Sequence, residues 1–270
     1  MIVDSDCKPL SNYSVTRSNG KVEQDAIAEE VPVALVYKGI SHAVMLATPQ
    51  DLADFALGFS LSEGIIKTPS EMYDLEIVTE TNGISVKMDI ATERFSSLKE
   101  IRRTLAGRTG CGLCGTDSLE HAIKPLLPLD NINFFVQHDA LLTAYRNMPS
   151  NQALQAVTGA THASAWVNLQ GEILLVREDV GRHNALDKLI GALAKSGIDT
   201  NTGFILTTSR ASYEMVQKTV SAGVQLLAAV SAPTGLAIRM AEQSGLALVG
   251  FLRDKSYVIY SHVDKIKLHV

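Results

Sequence analysis

Residues 204–251 read FILTTSRASYEMVQKTVSAGVQLLAAVSAPTGLAIRMAEQSGLALVGF. Three short apolar runs, Phe204–Thr208, Gln225–Val230 and Leu246–Phe251, alternate with two stretches of helical periodicity. Tyr213–Ala222 is predicted to be a helix ended by Gly223. Pro233–Ser244 is predicted to be a second, with proline at its start and Gly245 at its end. Strand, helix, strand, helix, strand implies parallel strands joined by right-handed crossovers. The class is therefore α/β or α+β, with a mixed sheet between helical layers.

Upstream, Ala165–Leu169 and Glu172–Val176 flank Gln170-Gly171 and read as a hairpin. Asn184–Ala194 is amphipathic through Ala185, Leu186, Leu189, Ile190 and Leu193, and Gly197 can close it. Downstream, Tyr257–Ser261 is predicted to be a last strand. The first half is β-rich and smaller in its elements. Val31–Tyr37 and Ala43–Ala47 flank a turn at Gly39, and Leu75–Thr79 and Ile84–Met88 straddle Asn82-Gly83. Between them Thr48 suits an N-cap, Pro49 a first turn, and Leu52, Phe55, Ala56 and Phe59 one apolar helix face. Leu98–Leu105 and Asp139–Asn147 are further predicted helices. A soft boundary near residue 150 divides a β-rich N-terminal subdomain (1–150) from an α/β ligand-binding subdomain (151–270).

The chain has 270 residues, is 46% hydrophobic and carries a net charge of -5. That length can bury a sizeable core, and the negative balance argues against a broad nucleic-acid surface. The opening MIVDSDCKPL has early acids and no apolar segment, and no apolar run approaches the ~20 residues of a membrane span. The expectation is a cytosolic protein that binds neither membrane nor nucleic acid. Three cysteines in a reducing compartment argue against a disulfide framework.

In doubly wound sheets, ligands bind outside the carboxyl ends of the strands. The polar segments of this chain fall there: REDVGRHN after Val176, SRAS after Thr208, SAPTG after Val230 and LRDKS after Phe251. Arg182 and His183 stand at a helix N-terminus, and Arg210 repeats the arrangement at the next. Cations there oppose the helix dipole unless an anion lies between them. Hydroxyls of Ser209, Ser212, Ser231 and Thr234 complete a candidate cradle for a phosphorylated, nucleotide-like ligand. THASAW places His162 before small residues, as in nucleoside deaminases, but that chemistry needs H-x-E and a later P-C-x-x-C. Position 164 is serine and the only cysteine pair lies upstream, so a zinc deaminase is not expected.

That pair is Cys111 and Cys114, in GRTGCGLCGTD at 107–117. A structural zinc site needs about four ligands, and beyond His121 no fourth is evident. A redox pair normally opens a helix, whereas Gly110, Gly112 and Gly115 suit a mobile arm. Arg102, Arg103 and Arg108 would favour the thiolate, the form that attacks sulfur. A group carrier fits these features, and zinc binding, dithiol redox chemistry and an incidental surface loop stay open on the residues alone.

REDVGRHNALDK, SAPTGLAIRMAEQSGLALVGFLR and CGLCG, with TPQDLADFALGFSLSEGII, together resemble the formate dehydrogenase accessory sulfurtransferase family (FdhD). The resemblance implies a cytidine-deaminase-like core in the C-terminal half and a homodimer. It also implies sulfur transfer from a cysteine desulfurase to the molybdenum or tungsten bis(molybdopterin guanine dinucleotide) cofactor, for the formate dehydrogenase apo-enzyme. Guanine nucleotides would bind as fragments of that cofactor. Cys111 matches the persulfide-bearing cysteine and Cys114 its partner. Phe251, Leu252, Arg253, Asp254, Lys255 and Ser256 match the cofactor-binding segment. Thr207-Thr208-Ser209-Arg210 stands where relatives often show T-S-G-R. The alternatives are a cofactor-binding chaperone without sulfur chemistry and a dithiol oxidoreductase.

Overall fold

A computed structural model describes residues 8–105, 126–130 and 133–268, with the backbone alone for 101–105. Cys7, Cys111, Cys114, Arg108 and His121 lie outside the described residues, as do the side chains of Arg102 and Arg103.

The chain opens with an antiparallel hairpin of β1 (Leu10–Thr16) and β2 (Val22–Ala28). A second sheet has the order β4-β3-β6-β5, from β3 (Val31–Tyr37), β4 (Ile40–Ala47), β5 (Met72–Glu80) and β6 (Gly83–Ile90). The predicted hairpins are both present, and β3 pairs in parallel with β6. Helix α1 (Leu52–Ser62) covers this sheet with the four predicted residues, Leu52, Phe55, Ala56 and Phe59, all buried. Its N-cap is Asp51, not Thr48, and makes no capping side-chain bond. Thr48 is buried and faces the other half of the molecule, where its N–H donates to Asp179 Oδ2 at 3.0 Å.

After α2 (Thr92–Leu105) come β7 (Val136–Gln137), α3 (His138–Asn147) and α4 (Ala153–Thr158). Then follow β8 (His162–Asn168), β9 (Ile173–Asp179), α5 (Arg182–Ser196), β10 (Gly203–Thr207), α6 (Tyr213–Ser221), β11 (Leu226–Ala229), α7 (Gly235–Ser244), β12 (Ala247–Gly250), β13 (Val258–Ser261) and β14 (Ile266–Lys267). A mixed sheet of six strands has the order β13-β12-β11-β10-β8-β9. β10, β11 and β12 are parallel, as the alternation of 204–251 predicts. β8 and β13 run against them, and β9 runs against β8. The carboxyl ends of β9, β10, β11 and β12 therefore share one edge.

Period-two burial explains both faces of this sheet. Phe204 and Leu206 pack with Leu141 and Ala144 of α3 and with Met148 just past its end. Ile205 points to the other face, against Leu186 and Leu189 of α5, Val216 of α6 and Met240 of α7. The mixed sheet thus lies between helical layers. One of these layers, α3, comes from sequence ahead of residue 151.

The two large sheets are joined through α1 and α5. Gly58 and Gly191 let the helix backbones touch. A Cβ at Gly58 would lie 1.7 Å from the Asp187 carbonyl oxygen, and one at Gly191 would lie 1.9 Å from that of Asp54. Polar ties reinforce the joint. Lys188 Nζ, fully buried, meets Asp179 Oδ2 at 2.6 Å and donates to the Thr48 carbonyl at 2.9 Å. Lys218 bridges Asp187 and Glu63, each at 2.9 Å, and the two carboxylates raise its pKa against the lowering effect of burial.

Candidate functional site

All four polar segments named from the sequence reach the shared edge, with one correction. β9 continues through Arg177, Glu178 and Asp179, so only Val180-Gly181 is loop in REDVGRHN. The reason is tertiary. Arg177 Nη2 donates to Asp54 at 2.7 Å, Glu178 accepts from the N–H groups of Leu154 and Gln155, and Asp179 pairs with Lys188. These partners hold the strand where alternation in the sequence fades.

Arg182 and His183 are the first two residues of α5, as expected. Arg182 Nε is a buried polar atom with no hydrogen-bond partner among the described residues. Such an atom is costly to leave unmade, by roughly 1–3 kcal/mol, and fits a bound acceptor at this edge. His183 Nε2 is already engaged by the Glu214 carboxylate of α6 and lies 3.5 Å from Ser212 Oγ. The hydrogen bond from His183 foremost holds the Glu214 carboxyl below its usual range, against partial burial. Glu214 escaped the sequence reading because nothing in the spacing of 183 and 214 joins them. Only the parallel placement of α5 and α6 does.

Arg210 is exposed just beyond β10. Ser209 is buried, its Oγ donating to the Arg210 carbonyl at 2.9 Å and lying 3.1 Å from Thr207 Oγ1. Its φ lies outside the left-handed region, so serine fits this backbone. The segment 251–256 turns tightly past the edge. Phe251 adopts φ 51, a left-handed conformation that costs a bulky residue of order 1–3 kcal/mol. Its N–H donates to the Ser231 carbonyl at 3.2 Å, and the residue is 43% exposed. Leu252 buries its side chain in the core. The Arg253 guanidinium donates to the carbonyls of Val230 and Leu252, and the Arg253 N–H to Ser256 at 2.8 Å. Asp254 sits 3.7 Å from Arg146 on the surface, and Lys255 and Ser256 are exposed.

Beside this edge, on the α3 face of the sheet, opens a cavity of about 520 Å³. Its lining includes Tyr145, Met148, Gln152, Gln155, His162 and Thr208. Burial foremost, then Arg182, Arg210 and His183, push the His162 imidazole below its ordinary pKa. The edge is thus electropositive although the chain is acidic overall. It can accept an anion among its arginines and an apolar or planar group in the cavity. Among the described residues, no cluster of three or more His, Cys, Asp or Glu could hold a metal ion. No described helix is long and apolar enough to cross a membrane.

Residues 28–267 match the family model described as FdhD/NarQ. The chain belongs to the FdhD/NarQ family. It is 58% identical to the sulfur carrier protein FdhD of Cupriavidus necator, over 98% of this chain and 92% of that one. It is also 58% identical to the sulfur carrier protein FdhD of Variovorax paradoxus, over 88% and 86% of the two chains. A candidate formate dehydrogenase accessory protein from Desulfotalea psychrophila, solved by crystallography, has a TM-score of 0.71. It is 22% identical and aligns over 96% of this chain and 98% of that one. That likeness speaks for the fold alone, which the two chains share over nearly their full lengths.

Proposed function

We propose that this protein is a sulfur carrier that receives sulfur on Cys111 from a cysteine desulfurase. It delivers that sulfur to a molybdenum or tungsten bis(molybdopterin guanine dinucleotide) substrate destined for formate dehydrogenase. The observation that carries the ligand half of this reading is the convergence of four loops, with Arg182, His183, Arg210 and Arg253, on one sheet edge beside a cavity. The naming of relatives as sulfur carriers supports the sulfur half. The order of a hairpin followed by parallel crossovers supports a deaminase-like core, and the family likeness supports a homodimer working in the cytoplasm.

In loading, the Cys111 thiolate attacks the outer sulfur of the desulfurase persulfide. The donor S–S bond breaks, the desulfurase leaves as thiolate, and Cys111 holds the new persulfide. In delivery, Cys114 thiolate attacks Cys111 Sγ and releases hydrosulfide to the substrate. The resulting disulfide is reset by a dithiol reductant. The edge binds the guanine dinucleotide phosphates and so presents the substrate to the cysteine.

A cofactor-binding chaperone would use the same edge without the thiol steps. The ligand half is tested by calorimetry with GDP. Wild type binds, and Arg210→Ala binds about tenfold or more weakly, because a charge-assisted bond contributes about 1.5–3 kcal/mol. If the intact cofactor binds and GDP does not, recognition lies in the pterins and the nucleotide cradle is wrong.

A further inference from the structure

His162 begins β8 at the sheet edge and lines the cavity, half-buried. What faces it can be named element by element. Opposite on β9 is Asp179, already committed to Lys188 and to the N–H groups of Thr48 and Gly181. Glu178, its neighbour, is bound to Leu154, Gln155 and Thr161. From α5 come Arg182 and His183, and from the loop after β10 comes Arg210. Glu214 of α6 is taken by His183. The cavity that His162 lines is completed by Tyr145 of α3, Gln152 just ahead of α4 and Gln155 of α4, which bring no carboxylate to it. The balance around the imidazole is cationic, and every nearby carboxylate is already paired.

A neutral imidazole among cations is an acceptor waiting for the field to change. We propose that His162 is a phosphate-binding residue of this edge. It takes up a proton from solvent when a diphosphate settles among Arg182, Arg210 and His183, and it donates that proton to a phosphate oxygen. This rests on the nucleotide reading of the edge and adds to it a residue and a proton. The sign follows from the charges. Burial foremost, then Arg182, Arg210 and His183, lower the pKa of the free imidazole and favour its neutral form. A bound diphosphate cancels the cations and stabilises imidazolium, so the complex binds one proton more than the free protein. Affinity therefore rises as pH falls and is lost as pH rises, by up to about tenfold per pH unit while a full proton is taken up.

The experiment is calorimetric titration of GDP, and of inorganic pyrophosphate, into the full chain between pH 6 and 8.5 (roughly the range of imidazole linkage). Two buffers of different ionisation enthalpy report the protons exchanged. His162→Gln keeps a polar side chain that cannot titrate, and the difference between the two proteins removes the titration of the ligand's own phosphate. Wild type is expected to take up more protons than His162→Gln and to lose affinity more steeply with pH, with both ligands. Equal proton uptake and parallel pH profiles overturn the role of His162 and leave the nucleotide edge standing. An excess uptake with GDP that is missing with pyrophosphate also overturns it, since the phosphates would not be what His162 senses. Failure of GDP to bind wild type at any pH overturns both.

Discussion

Lys188 places an ammonium where no solvent reaches it, and burial pulls its pKa down. It stays bound because Asp179 and the Thr48 and Glu178 carbonyls surround it. Lys188→Met would leave the Asp179 carboxylate buried without its counter-charge. Loss of one partner of such a pair costs ~3–5 kcal/mol, so urea unfolding should show a stability loss of that order. A loss below about 1 kcal/mol, the size of a surface pair, would contradict this account. None of this was legible in the sequence. Thr48 reads as an N-cap by local rules, yet its N–H is spent on a residue 131 positions away. Asp179 reads as loop, yet it is strand for the same reason. Local rules fail at both because a buried charge outweighs a cap worth about 1 kcal/mol.

Elements were more legible where their ends are marked by residues that dictate backbone conformation. Gly197 and Gly245 take left-handed C-cap positions where the sequence places helix stops, and Gly223 has positive φ just past the end of α6. α7 begins behind Thr234, whose side chain accepts from the Ala237 N–H, one residue past the predicted proline. The β1–β2 hairpin was missed although Asn19-Gly20 marks its turn, because its strands alternate poorly between apolar and polar residues. The α1–α5 contact was invisible to periodicity, since glycines are silent in an apolar pattern. Its test sets two effects against each other. Gly58→Ala gains up to ~1 kcal/mol of helix propensity. Against that, the added Cβ would sit 1.7 Å from the Asp187 carbonyl oxygen, a backbone clash that side-chain rotation cannot relieve. Overpacking typically costs ~1–3 kcal/mol, so packing wins and the thermal midpoint should fall. A midpoint unchanged or raised would show that the helices part without cost.

At the scale of the whole molecule, an acidic chain sets Arg182, Arg210 and Arg253 at one end of one sheet. That gathering was legible because strand and helix alternation alone fixes where carboxyl ends point. The cavity was not, because α3 and α4 close it from sequence that precedes the sheet. Nor was the field at His162, which needs β8 inserted between β9 and β10 to set that ring beside Arg182 and Arg210. In the proposed function the edge holds a nucleotide-bearing substrate and Cys111 carries the sulfur delivered to it. The claim that joins them is that this chain accepts sulfur covalently. Intact mass spectrometry after incubation with a cysteine desulfurase and cysteine tests it most directly. The account predicts a mass gain of one sulfur atom, reversed by a dithiol reductant and absent in Cys111→Ala. An unchanged mass in wild type, or the same gain in Cys111→Ala, would contradict it.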